Sequence, residues 1–319
     1  MSTRIQLLAR DNGAGLTRDM ALLSAALREA GAAVHGTPLR HRGRLAEWLT
    51  RLRLAGSSPL YDWNLMLERV RPEFARMAAR NVLVPNPEYF RTQDRAALDR
   101  IDQVWAKTRH AERLFAALGK PVRYIGFASP DRRDAGVPRR QAFFHGPGRS
   151  ANKGTAALLQ LWAAHPEWPV LTVAWRRKHV ALGTPPANVR LIREHLDDDT
   201  YRRLQNEHRF HLCPSQTEGY GHYLVEAMSC GAVVLTLDAE PMHELVTAER
   251  GVLVPAQATG TQDLATLYGF RDADMAGAIE RCVAMSEGEA AALGAAARAW
   301  FEAEQAAFPL RLRDALAAV

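Results

Sequence analysis

The chain has 319 residues, 47% of them hydrophobic and 24% charged; at about 150 residues per domain this predicts two domains or one large one, and it excludes disordered, collagen-like and coiled-coil chains. Its three cysteines, Cys213, Cys230 and Cys282, are odd in number and share no C-x-x-C spacing, which argues against a disulfide framework and fits a reducing, cytoplasmic compartment. The net charge of +6 is uneven, +11 over residues 1–140 and −5 over residues 141–319, so the first half either attracts an anionic partner (a phosphorylated small molecule, an acidic lipid surface, a nucleic acid) or clothes solvated helix faces in arginine.

The first ten residues lack the apolar centre of a signal peptide, and no apolar run reaches the length of a membrane span. Residues 5–9 predict a strand. Residues 16–30 carry an apolar stripe at helical spacing that Gly31 terminates. A strand at 32–35, a basic helix at 44–54, a strand at 64–67, a helix at 73–80 and a strand at 81–84 follow. Residues 103–106, 109–118 and 122–126 read as strand, helix and strand. This alternation predicts a parallel sheet covered by helices. Residues 129–140, aperiodic and with two prolines, predict a linker. The pattern then restarts, with strands at 141–145, 169–174, 189–192, 210–213 and 233–237, and helices at 155–165, 199–207 and 221–230. An Ala-rich helical tail closes the chain from residue 272. The expected domains are 1–135 and 138–300, with a final helix over 301–319.

The most informative stretch is residues 214–231, P-S-Q-T-E-G-Y-G-H-Y-L-V-E-A-M-S-C-G. A strand ends, Gly219 and Gly221 permit a tight turn, a helix begins, and Gly231 closes it. Backbone N–H groups at such a helix start, with the helix dipole, suit a diphosphate. Glu218 and Glu226, eight positions apart, can accept hydrogen bonds from sugar and ribose hydroxyls.

This stretch resembles the E-x7-E signature of the retaining GT-B glycosyltransferases of family 4. The resemblance implies an α/β chain of two Rossmann-like domains facing across a cleft, with an acceptor side in the first and a donor side in the second. It implies transfer of a hexose from a nucleotide diphosphate-sugar to an acceptor hydroxyl with retention of configuration, in polysaccharide or glycolipid assembly. Glu218 would lie by the donor sugar and Glu226 by the ribose, with Gly219, Tyr220, Gly221, His222 and Tyr223 lining the donor site. Residues 143–154 resemble a second family motif, G-R-x-x-x-x-K-G, here one residue shorter between Arg149 and Lys153. These two cations would stand where charge develops on the leaving diphosphate. The turn of Gly13 and Gly15 resembles the glycine turn that the family brings near the donor or acceptor.

Asn86 and Glu88 follow the strand at 81–84, at the sheet edge where open α/β folds take ligands, and are expected acceptor-side contacts or parts of a Pro-fixed turn. Lys107 and its neighbours sit at a similar edge, where Thr108 reads as a helix N-cap. Asp197, Asp198 and Asp199 precede a helix and read as its cap rather than as a metal motif. Glu240, Met242 and Glu244 resemble the family's next segment without its glycines. No metal or other cofactor is expected beyond the nucleotide-sugar co-substrate, and the partners expected are that donor, a carbohydrate or lipid-linked acceptor and an anionic membrane touched peripherally. The chain lacks a third glycine at Arg18, which counts against a dinucleotide fingerprint. Two alternatives stay open: a nucleotide-sugar epimerase or phosphorylase on the same fold, and a noncatalytic polyanion binder, although no nucleic-acid motif is present.

Overall fold

Short apolar runs separated by helices settle into two all-parallel sheets. The computed structural model describes residues 2–10, 13, 15–39, 49, 59–148, 150–176 and 185–318; the basic helix expected over 44–54 and the side chain of Arg149 lie outside the described residues. Met1–Ala128, Gln262–Ala265 and Glu304–Val319 form one compact unit, and Ser129–Thr261 with Thr266–Ala303 the other. Among the described residues no helix is long and apolar enough to cross a membrane.

In the first unit β1 (Arg4–Arg10), β2 (Ala33–Leu39), β3 (Tyr61–Leu67), β4 (Ala78–Val84), β5 (Gln103–Ala106) and β6 (Val122–Tyr124) lie in the order β2-β1-β3-β4-β5-β6. Every pairing is parallel. Strands covered on both faces need apolar side chains pointing both ways, and Ile5, Leu7, Leu8 and Ala9 of β1 are all buried. Helix α1 (Gly15–Glu29) returns the chain from β1 to β2, and α2 (Arg109–Ala117) returns it from β5 to β6. Thr108 caps α2, its hydroxyl accepting from the Ala111 N–H at 3.1 Å. Leu8, Met66, Leu83, Phe90, Val104 and Phe115 belong to one continuous core cluster of this unit.

The expected helix at 73–80 is a correction. Pro72–Met77 is a 3-10 turn, and the chain passes directly into β4. Two buried asparagines explain this: Asn64 Nδ2 donates to Phe74 O at 2.8 Å, and Asn81 Nδ2 to Ala75 O at 3.0 Å. These bonds occupy carbonyls that an α-helix would pair four residues on.

The second unit repeats the grammar with β7 (Arg140–Gly148), β8 (Leu171–Trp175), β9 (Val189–Ile192), β10 (His208–Cys213), β11 (Val233–Asp238) and β12 (Gly251–Pro255), in the order β12-β11-β10-β7-β8-β9, again parallel throughout. Its helices are α3 (Thr155–Ala164), α4 (Asp198–Glu207), α5 (His222–Ser229), the short α6 (Met242–Leu245) and α7 (Asp272–Ala284). The long α8 (Glu287–Ala317) begins in this unit and ends in the first. Strand β12 and the hairpin of β13 (Gln257–Gln262) and β14 (Ala265–Gly269) were not expected from the sequence. Helix α5 ends as its glycine predicts: Gly231 takes φ +70°, and the Ala232 N–H reaches back to Ala227 O at 3.1 Å. Arg139, from the expected linker, donates to the carbonyls of Cys230 and Gly231 and so satisfies the end of that helix.

Candidate active site

Two helices of the second unit begin beside one another because each follows a C-terminal strand end and each starts on a glycine. Gly154 precedes α3 with φ +65°, and Gly221 precedes α5 with φ +109°; neither helix start has a side-chain cap. A side chain on Gly154 would put its Cβ 2.6 Å from Pro214 O, so a glycine is required for the 150–154 turn to lie against the 214–221 turn. The Gln216 N–H donates to Asn152 O at 2.9 Å and joins the two turns.

That approach brings Lys153 onto Glu218. Lys153 Nζ is ion-paired to Glu218 Oε1, and both side chains are largely buried. Ser215 Oγ donates to the same carboxylate oxygen at 2.5 Å. Its proton so committed, Ser215 accepts from Tyr223 OH, also at 2.5 Å. Burial raises the Tyr223 phenol well above its ordinary value, so it stays a donor. The Lys153 ammonium lies 4.1 Å from the centre of the Tyr223 ring, a cation–π contact that steadies it. Lys153, Ser215, Glu218 and Tyr223 therefore form one constellation, of which the sequence had singled out all but Ser215.

Beneath this cluster, His145 fixes the start of α3. Its Nδ1–H donates to Leu212 O at 2.7 Å, so Nε2 accepts from Thr155 Oγ1 at 2.8 Å. Complete burial pushes this imidazole down to about 4, with the nearby Lys153 charge acting in the same direction. The folded form excludes the proton that the unfolded chain accepts near 6.5, so the stability this group contributes is present above pH 6.5 and is lost as pH falls toward 4. His145→Gln is expected to flatten the acid limb of stability between pH 6.5 and 4 by up to about 3 kcal/mol, read as urea midpoints at fixed pH values. An unchanged slope would contradict the assignment.

Glu226, on α5, is 4% exposed, and its Oε2 accepts from Gln205 Nε2 at 3.1 Å. His222 is hydrogen-bonded through Nδ1 to Ser129 Oγ at 2.7 Å and meets the Tyr220 ring edge-on at 5.4 Å. Gly219 is buried in the turn. Asp197 caps α4, accepting from the Thr200 N–H at 2.7 Å, whereas Asp198 turns to Arg132. Among the described residues no group of three or more His, Cys, Asp or Glu side chains is placed to hold a metal ion.

Gly13, Gly15, Asn86 and Glu88 belong to the first unit. Gly13 takes φ +58° and donates its N–H to Thr17 Oγ1 at 3.0 Å, and Gly15 opens α1. Glu88 is buried, and its main-chain carbonyl accepts from Gln262 Nε2 at 2.9 Å. Asn86 Oδ1 accepts from Lys107 Nζ at 2.9 Å. Lys107 is itself ion-paired to Asp19 of α1, and its ammonium lies 4.7 Å from the Phe127 ring centre. A fully buried ammonium needs such a partner set. Glu68, just past β3, holds φ +66°, and burial raises its carboxyl against the opposing charges of Arg69 and Lys107. Sequence reading missed Asp19 and Glu68 because neither lies in a motif; a positive φ on a glutamate has no sequence signal.

The family described as Glycosyl transferases group 1 matches residues 181–265, the stretch that holds the 214–223 turn and α5. No curated protein sequence matches the chain. Among solved structures, sucrose-phosphate synthase from Thermosynechococcus elongatus is similar at a TM-score of 0.73 and 16% identity over 99% of this chain and 100% of that one. HepE of Anabaena, in complex with UDP and glucose, is similar at 0.71 and 15% identity, over 99% and 100%. A structure described as trehalose-6-phosphate from E. coli, bound with UDP-2-fluoro glucose, is similar at 0.72 and 11% identity over 99% of both chains. The fold is GT-B: two Rossmann-like units, each built on a parallel six-stranded sheet among the described residues.

Proposed function

We propose that this chain, a GT-B glycosyltransferase by fold and by the match at residues 181–265, moves a hexose from a nucleotide diphosphate-sugar to an acceptor hydroxyl with retention of configuration. The observation that carries the reading is the contact between Lys153 and Glu218, which puts a cation and a carboxylate at the meeting point of two glycine-started helices. Both helix starts present partial positive charge to the same place, as a diphosphate requires.

In this reading the acceptor oxygen bonds to the anomeric carbon as its bond to the phosphate oxygen breaks, and the acceptor proton leaves with the departing diphosphate. Lys153 stabilises the charge that develops there. Arg149, separated from Lys153 by three residues in the sequence, would add a second cation. Glu218 accepts from the donor sugar's hydroxyls, and Glu226 from those of the ribose. HepE and the E. coli relative were solved with UDP or a UDP-sugar, which makes uridine nucleotides the first donors to try. The acceptor side is proposed for Asn86 and Glu88 in the first unit, and the acceptor as a carbohydrate or a lipid-linked sugar at an anionic membrane surface.

Incubation with α-linked nucleotide sugars, with water standing in for the acceptor, tests the reading. Proton NMR before mutarotation is expected to show the α-sugar as the first product. The β-sugar appearing first would overturn retention, and conversion of the donor into another nucleotide sugar would favour the epimerase.

A further inference from the structure

A buried carboxylate binds two vicinal hydroxyls well only when its plane is fixed, because each hydroxyl needs an oxygen lone pair in its direction. The Glu226 side chain is nearly fully buried on α5, and its Oε2 is held by Gln205 Nε2 at 3.1 Å from the neighbouring α4. Gln205 is equally buried, and its orientation is fixed from the far side: Arg132 Nε donates to Gln205 Oε1 at 2.9 Å. This contact also determines which end of the Gln205 amide faces Glu226, since an arginine can only donate.

Arg132 is in turn locked in place. Its Nη1 donates to both carboxylate oxygens of Asp198 at 2.9 and 2.8 Å, and its Nη2 to Asp198 O at 3.1 Å. Its backbone is tied as well. The Arg132 N–H donates to Ser229 Oγ at 2.9 Å, Ser229 Oγ donates to Glu226 O at 2.7 Å, and Asn206 Nδ2 donates to Arg132 O at 2.7 Å. The segment entering the second unit thus grips both α4 and α5 and links their side chains in the order Asp198, Arg132, Gln205, Glu226. A purely structural tie between two helices has no need to end on a buried carboxylate, whose desolvation is costly.

We infer that Gln205, oriented by Arg132, is a positioning residue that sets the direction of the Glu226 carboxylate for a diol of the nucleotide's ribose. The inference rests on the donor-site reading above. Its consequence is specific: Gln205 contributes to the discrimination between a ribonucleotide and one lacking the hydroxyls, and not to the grip on the diphosphate.

The test is calorimetric titration of UDP, GDP and ADP, each beside its 2′,3′-dideoxy counterpart, into the full chain and into Gln205→Leu, Arg132→Lys and Glu226→Gln. For the nucleotide that binds, the wild-type chain is expected to prefer the ribo form by about tenfold or more, and Glu226→Gln to abolish most of that preference. Gln205→Leu is expected to lose about three- to tenfold of the preference, with dideoxy affinity within twofold of wild type, which also shows that the variant is folded. Arg132→Lys, which retains charge but cannot reproduce the Nε contact, should move the ratio in the same direction. A Gln205→Leu variant that keeps the full preference overturns the inference while leaving the donor site standing. Equal loss of both affinities assigns Gln205 to holding the fold and also overturns it. A wild-type chain that binds none of the diphosphates, or binds both forms equally, removes the donor-site reading or its ribose assignment, and the inference with it.

Discussion

Replacing Lys153 by Ala is expected to lower kcat for sugar transfer by roughly 10²–10³, the usual cost of removing one preorganised group that meets developing charge. The ammonium stands between Glu218 and the Tyr223 ring at the junction of two helix starts, so its loss removes the one described cation of the constellation. The same change leaves Glu218 largely buried without its ion-pair partner, still accepting from Ser215 Oγ, and the chain should lose stability as well. The double variant Lys153→Met, Glu218→Gln separates the two effects, because it removes both charges and so the unpaired-charge penalty. Its stability should return toward that of the wild type while kcat stays low. Recovery of activity together with stability would make the pair a structural one.

Glu218→Gln is expected to act differently on the two halves of the donor. The affinity for a free nucleoside diphosphate should hold or rise, because Lys153 no longer has a carboxylate competing with the phosphates. Transfer from the full nucleotide-sugar should fall about ten- to hundredfold, the equivalent of losing one or two charge-assisted hydrogen bonds to sugar hydroxyls. Breaking a largely buried ion pair should also cost about 1–3 kcal/mol of stability, less than a completely dry pair because both side chains keep some contact with water. Calorimetry with UDP, initial rates with the nucleotide-sugar and urea unfolding read the three quantities separately. Equal weakening of diphosphate and nucleotide-sugar binding would contradict the division of roles.

What the sequence made legible was local. Each strand of the two sheets that carries a run such as Ile5 to Ala9 announces itself by burial on both faces, and the two glycine junctions announce themselves by the chain reversal that Gly154 and Gly221 permit. Thr108 and Asp197 read correctly as caps for the same reason: the signal and its consequence lie within three residues. The failures are tertiary. The turn at Pro72–Met77 is withheld from an α-helix by Asn64 and Asn81, whose amides reach it from neighbouring strands. Gln205 and Arg132 sit 73 positions apart, and nothing in either local sequence marks them as partners. Asp19 and Lys107, 88 positions apart, meet only because α1 and the end of β5 reach the same part of the first unit. The 257–269 hairpin escaped notice because its exposed, polar β13 carries no apolar alternation.

The most direct measurement is a crystal structure of the chain with a bound nucleotide diphosphate-sugar. The account predicts the two phosphates against the starts of α3 and α5, beside Gly154, Gly221 and Lys153, with the ribose hydroxyls on Glu226 and the sugar against Glu218. Phosphates bound elsewhere on the chain, with the Lys153–Glu218 pair untouched, would contradict it.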